Sequence, residues 1–306
     1  MRPDDPALGP TRITVGCANF EAVPRDKRAT LEKMDGVLGQ AAGAGCDLVI
    51  FPELALNTWG PCADCAEARQ PCEWHRDQAE PADGPSCRAV ADMADARGLH
   101  VIYGFEETDG VSIFNAANVV APDGLVGTYR KLLLGIPLET DRFTPGDALP
   151  VFETDLGPIG ISICYDFYQG PELSRILARK GARLLVNPTG RGALPRAREH
   201  LEQVTLVRAH ENLVAAASAN RVGASHGPEW AGGSVIAATE FPGFPTTLAR
   251  AGVDEELITA EVNFTAIAGW YDVLPWREWL AGPQREVSRL IVDELSALLL
   301  SPAHGL

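Results

Sequence analysis

Cys46-Asp47-Leu48-Val49-Ile50-Phe51 runs directly into Pro52-Glu53. The run is short, almost continuously apolar and too brief for an ordinary helix. That is the signature of a strand covered on both faces, as in sheets with helices packed outside. Working outward, the pattern repeats. Upstream, 11–18 reads as a strand and 25–44 as an amphipathic helix stopped near Gly45. Downstream, 86–97 reads as a helix stopped by Gly98, followed by strands over 99–105, 116–120 and 127–131. The second half continues with a strand over 159–164 and a helix over 171–180, where Pro171 suits a first turn and Gly181 a stop. A strand follows at 183–186, a helix at 196–212 and a strand at 214–219. Further strands near 233–237 and 257–262 precede a closing helix over 288–300. Strands alternating with helices predict an α/β fold. No composition break divides the chain, so one domain is expected over 11–300, between a flexible tail at 1–10 and another at 301–306.

The chain has 306 residues, enough for a large buried core. Its 26 basic and 41 acidic residues give a net charge of −15. Such a surface repels phosphate backbones and anionic lipid, which argues against nucleic acid and membrane partners. The opening stretch lacks the apolar segment of a signal peptide, and no apolar run is long enough to span a bilayer. The expected location is the cytoplasm. Seven cysteines, an odd number spread through a large chain, do not suggest a disulfide scaffold.

Three reactive residues end predicted strands: Glu53, Lys131 and Cys164. Ligands of open α/β sheets bind at the carboxyl ends of strands, so three such ends can meet at one cleft. A carboxylate, an amine and a thiol are the parts of a thiol acyl-transfer site. Taken singly, each reads more readily as something plainer: a surface Glu, a solvated Lys and an inert buried Cys.

Their surroundings add a resemblance. Phe51-Pro52-Glu53-Leu54, Tyr129-Arg130-Lys131, Gly160-Ile161-Ser162-Ile163-Cys164-Tyr165-Asp166 with Pro171-Glu172, Arg208-Ala209-His210-Glu211-Asn212 leading to Asn220-Arg221-Val222-Gly223, and Gly232-Gly233-Ser234-Val235-Ile236 occur in this order. Together they resemble the nitrilase superfamily of carbon–nitrogen hydrolases, on its amidase-like branch, over roughly residues 11 to 262. The resemblance implies a four-layer α-β-β-α sandwich, a homodimer or higher homo-oligomer, and a catalytic Glu53, Lys131 and Cys164. It also places Glu139 as a second carboxylate that orients the lysine and the substrate.

The implied reaction is hydrolysis of a small amide, without metal or organic cofactor. A helix N-terminal field and the Lys131 cation favour the Cys164 thiolate. Glu53 takes the thiol proton and passes it to the leaving ammonia or amine. Lys131 and the backbone N–H of Tyr165 hold the oxyanion, and water activated by Glu53 cleaves the thioester. Trp59, Phe167, Tyr168, Arg191 and Trp230 fall in loops that could line the pocket, and Arg191 could hold a substrate carboxylate. Departures from the family pattern include Leu133, where histidine is frequent, and an extra residue before Pro171. The alternatives are an N-carbamoyl amide hydrolase, a nitrilase, and a silent binding protein on the same fold. Finally, Cys62, Cys65, Cys72 and His75 form a C-x2-C…C-x2-H array. Cys3His is a valid zinc set, but the short loop carries no supporting pattern, so free thiols or a local disulfide are the plainer expectation.

Overall fold

Leu48 and Ile50 face one way and Val49 the other, and all three are buried. A strand buried on both faces must lie between two apolar layers, and the computed structural model supplies them. It describes residues 2–57, 63–224, 229–274 and 283–300. In chain order the first elements are β1 (Arg12–Asn19), α1 (Lys27–Gly43), β2 (Leu48–Ile50), α2 (Ala63–Ala68), α3 (Glu73–Gln78), α4 (Pro85–Asp95), β3 (His100–Thr108), β4 (Ile113–Ala121) and β5 (Gly124–Arg130). Then come α5 (Pro137–Thr140), β6 (Val151–Phe152), β7 (Ile159–Ile161), α6 (Tyr165–Gln169), α7 (Pro171–Arg179), β8 (Leu184–Thr189), α8 (Ala197–Asn212), β9 (Ala215–Asn220), β10 (Val235–Ala238), β11 (Thr246–Arg250), β12 (Glu256–Asn263), α9 (Phe264–Val273) and α10 (Pro283–Leu300).

The strands form two six-stranded sheets, ordered β12-β1-β2-β3-β4-β5 and β11-β10-β9-β8-β7-β6. Each has a parallel centre, β1-β2-β3 and β7-β8-β9, flanked by antiparallel strands. Ile13, Val15, Leu48, Ile50 and Ile102 from one sheet pack against Ile159, Ile161, Leu184, Val186 and Ile236 from the other. The outer face of the first sheet is covered by α1 and α4, through Met34, Leu38, Val90 and Ala94. The outer face of the second is covered by α7 and α8, through Leu177 and Ala209. This is the expected α-β-β-α sandwich. Helix α1 shows the local logic. Asp26 caps it by accepting the Ala29 N–H at 2.9 Å. Its buried residues Thr30, Met34, Leu38 and Ala41 recur at one-turn intervals, giving one buried face.

Two expectations need correction. Residues 2–10 do not form a free tail. Pro3 is buried, its carbonyl accepts Arg183 Nη1 at 3.2 Å, and Arg2 pairs with Asp272 of α9. The reason is the buried Arg183 guanidinium, which needs carbonyl acceptors that this segment helps to supply. The strand expected over 159–164 ends at Ile161. The chain then leaves the sheet, and Cys164 stands beyond it. The expected tail at 301–306 lies outside the described residues.

Candidate active site

Glu53 sits in the turn that follows β2. The turn is held close against β3: a Cβ on Gly104 would lie 2.4 Å from the Leu54 nitrogen and 2.8 Å from the Glu53 Cα. Only glycine at 104 allows that approach. From the other sheet, the buried Arg221 donates through Nη1 to the carbonyls of Glu53 at 3.0 Å and Leu54 at 2.6 Å. Those carbonyls lie beyond the β ladder, and the guanidinium satisfies them.

Lys131 is the first residue after β5, and its N–H donates to the Asn115 carbonyl of β4 at 2.8 Å. Its ammonium donates to Glu53 Oε1 at 2.9 Å and to Glu139 Oε1 at 2.5 Å. Asn115 Nδ2 donates to the same two oxygens, at 2.7 and 3.2 Å. The outer oxygens are also engaged: Glu53 Oε2 accepts the Gly190 N–H at 2.9 Å, and Glu139 Oε2 accepts the Gly135 N–H at 2.8 Å. Glu53, Lys131 and Glu139 are each 3% exposed or less. Burial alone would lower the lysine, but the charges of Glu53, Cys164 and Glu139 outweigh it and hold Lys131 above its ordinary range. Burial and the neighbouring Glu53 charge raise Glu139 despite Lys131.

Cys164 follows β7 and caps α6 with φ of 49°. A non-glycine residue held at such a sparsely populated positive φ costs about 1–3 kcal/mol, so surrounding contacts must hold it. Its N–H donates to Asn187 Oδ1 at 2.9 Å and to the Pro188 carbonyl at 3.1 Å. The thiol is pushed up to about 12, first by burial and then by the Glu53 charge, against the pull of Lys131. Burial thus works against the thiolate that Lys131 favours. One lysine faces two carboxylates, so a thiolate would add a second net negative charge to a buried pocket.

Comparisons with known proteins give the family and the fold. A model of the carbon-nitrogen hydrolase family matches residues 14–272. The chain belongs to the carbon-nitrogen hydrolase family. Among its relatives, it is 28% identical to the omega-amidase NIT2 of Danio rerio over 83% of this chain and 89% of that one. It is 31% identical to an (R)-stereoselective amidase of Pseudomonas sp over 78% of this chain and 83% of that one. The fold matches that of an amidase from Nesterenkonia sp. AN1 with a TM-score of 0.69 at 23% identity, covering 84% of this chain and 92% of that chain. The protein is thus a hydrolase of carbon–nitrogen bonds other than peptide bonds. No helix among its described residues is long and apolar enough to cross a membrane.

In the hydrolase, the expected pocket residues divide. Tyr168 lies beside Cys164 and donates to or accepts from Thr189 Oγ1 at 2.8 Å, and Thr189 in turn hydrogen-bonds the thiol. Arg191 stacks its guanidinium 5.2 Å from the Tyr168 ring centroid. Tyr165 is half-buried and its ring covers Gly135, where any Cβ would collide with it at 2.5 Å. Phe167 is not brought to this group. It is fully buried in the outer helix layer with Leu177, Leu185 and Ala209, because the single turn of α6 rotates it away from the Cys164 side. Trp59 and Cys62 lie outside the described residues. Trp230 is buried with Leu54, Ile113 and Phe143.

Sequence reasoning missed Asn115, Asp166, Asn187, Thr189 and Arg221 as site residues. Asp166 accepts Tyr129 Oη at 2.7 Å and the N–H groups of Leu132 at 3.2 Å and Leu133 at 2.7 Å. Burial pushes Asp166 up to about 6 despite these donors. The available signal was a polar residue inside an otherwise apolar strand or just beyond it, since such a residue must find a partner when buried.

Proposed function

We propose that the protein hydrolyses a small amide through a thioester on Cys164, with Glu53 carrying the proton, Lys131 meeting the oxyanion and Glu139 holding Lys131 in place. The observation that carries this reading is the buried Glu53–Lys131–Glu139 array beside a strained Cys164. Because the thiol rests protonated, attack and proton transfer go together. The sulfur bonds to the amide carbon, its proton passes to Glu53, and the carbonyl electrons move to oxygen. Lys131 and the Tyr165 N–H, one of the first-turn amides that a helix leaves without an internal partner, meet that oxygen. The C–N bond then breaks as Glu53 gives its proton to nitrogen. Water, deprotonated by Glu53, attacks the thioester; the C–S bond breaks, Glu53 returns the proton to the Cys164 sulfur, and the carboxylic acid leaves.

The relatives named as amidases support an amide over a nitrile or an N-carbamoyl compound. Arg191 supports an anionic group elsewhere on the substrate: its buried Nε has no hydrogen-bond partner among the described residues. A screen of ammonia release over amides with and without a carboxylate, carbamoyl compounds and nitriles tests the assignment. Carboxylate-bearing amides should turn over fastest, Arg191→Ala should raise their KM, and Cys164→Ser should abolish turnover with the fold intact. Ammonia release that survives Cys164→Ser would sink the mechanism, and no turnover on any class would favour a silent binding protein. The same reading makes the working unit a cytoplasmic homo-oligomer. The exposed Leu290, Ile291 and Leu295 on α10 support a second copy as partner, and sedimentation velocity checks it.

A further inference from the structure

Helices α2 and α3 fold back on each other through residues 69–72, so that Cys65, Cys72 and His75 converge. Their ligand atoms, two Sγ and the imidazole Nδ1, all lie within 4.8 Å of one another. Nδ1 is 3.4 Å from Cys65 Sγ and 3.3 Å from Cys72 Sγ. Cys65 and His75 are buried and Cys72 is half-buried. The Cys72 N–H donates to Cys65 Sγ at 3.2 Å, a contact that suits a charged sulfur. This cluster plays no part in the amide chemistry.

We propose that Cys65, Cys72 and His75 form a structural zinc site that fastens the α2–α3 hairpin to the body of the protein. The spacing carries the metal reading. Zinc holds sulfur at about 2.3 Å and imidazole nitrogen at about 2.0–2.1 Å, so neighbouring donors at tetrahedral angles stand roughly 3.5 Å apart. Both measured sulfur–nitrogen edges are close to that value. Two thiolates and an imidazole make a soft donor set, which selects zinc over magnesium, calcium or manganese. The three donors found among the described residues leave one position for water or a further ligand.

A second observation stands behind the ring. Glu106 is 1% exposed, and neither carboxylate oxygen has a hydrogen-bond partner among the described residues. Its Oε1 lies 3.7 Å from His75 Nε2. A metal-bound imidazole usually hands its other N–H to a carboxylate, which fixes ring and tautomer. Without a metal the tautomer is the opposite one. Arg142 Nη1 stands 2.7 Å from Nε2, and since a guanidinium only donates, Nε2 must present its lone pair there. The ring proton then sits on Nδ1, between the sulfurs. Zinc takes the Nδ1 lone pair and displaces the two thiol protons to solvent. The ring proton moves to Nε2, so Arg142 Nη1 must withdraw from that atom and turn to Glu106, with which its Nε already pairs, and Glu106 closes in to accept the new ring N–H. Arg142 lies three residues beyond Glu139, so the site would brace the segment that carries that carboxylate.

Elemental analysis of the purified full chain should find stoichiometric zinc. After chelation under reducing conditions, the same protein should take up cobalt(II) and show thiolate-to-metal charge transfer with tetrahedral d–d bands. Zinc removal should lower Tm, and zinc addition should restore it. Cys72→Ser and His75→Ala should lose the metal and the cobalt spectrum, whereas Cys164→Ser should keep both. The wild-type reconstitution does not depend on how well any variant folds. The proposal is overturned if the reduced wild-type chain takes up neither zinc nor cobalt. It is equally overturned if the cobalt spectrum persists in Cys72→Ser and His75→Ala or disappears in Cys164→Ser.

Discussion

The carboxylate of Asp166, two residues past Cys164, accepts the backbone N–H of Leu133, two residues past Lys131, at 2.7 Å. The segment that carries Cys164 thereby grips the segment that carries Lys131. The grip uses main chain on the Leu133 side, and the Leu133 side chain itself is 39% exposed. The grip therefore does not depend on which side chain stands at 133.

Asp166→Ala should therefore lower both stability and turnover. It strands the Tyr129 hydroxyl and two N–H groups, and each buried donor left without a partner costs about 1–3 kcal/mol. Urea denaturation should show a loss of a few kcal/mol on that scale, and kcat should fall because Lys131 loses its register against Cys164. A stability loss with unchanged kcat would mean that the grip does not reach the chemistry.

Lys131→Ala should reduce kcat on the order of a hundredfold or more, the scale of losing one oxyanion donor. It also leaves Glu53 and Glu139 sharing a buried space without their cation, so one of them should hold its proton to higher pH. The pH profile of the residual activity should shift upward. A change confined to KM would make Lys131 a binding residue instead.

Glu53→Gln preserves the shape of the side chain and removes its ability to carry a proton. Acylation should slow sharply, and any thioester that forms should persist for want of a base to activate water. Intact-mass spectrometry after mixing with substrate should find either unmodified, inactive protein or an adduct on Cys164. Near-native turnover without an adduct would remove Glu53 from the base role.

Cys164 should react slowly with a simple uncharged alkylating agent at neutral pH. Its thiol is held up to about 12, so the thiolate fraction grows about tenfold per pH unit below that point. The labelling rate, read at Cys164 by peptide mass spectrometry, should climb steadily with no plateau near neutrality. A plateau between neutral and about pH 9, where an unperturbed thiol would titrate, would mean that Lys131 outweighs burial and the two carboxylates.

The apolar runs at 46–51 and 159–163 were enough to foresee buried strands, because burial on both faces leaves a continuous pattern. Glu53 and Cys164 stood out as candidates because each follows such a run, and Lys131 because it ends a predicted strand. Asn115 was not. It lies inside β4, and its value comes from reaching Glu53, 62 residues earlier in the chain. Phe167 was misread because residues 165–169 looked like loop, and one helical turn decides which layer a ring enters. The N-terminal stretch was misread because composition cannot reveal that Arg183 needs its carbonyls. Cys65, Cys72 and His75 were visible as a spacing, but only the fold-back of α2 on α3 brings their donor atoms together.

Glu53 and Lys131 come from one sheet, whereas Cys164, Gly190 and Arg221 come from the other. The seam between the sheets is therefore where the reacting groups first meet. On the proposed mechanism, either sheet with its helices is chemically mute alone: one has an acid and an amine with nothing to activate, the other a thiol with no base. Recovery of activity during refolding consequently keeps time for a single event, the docking of sheet on sheet, however early the separate strands and helices form.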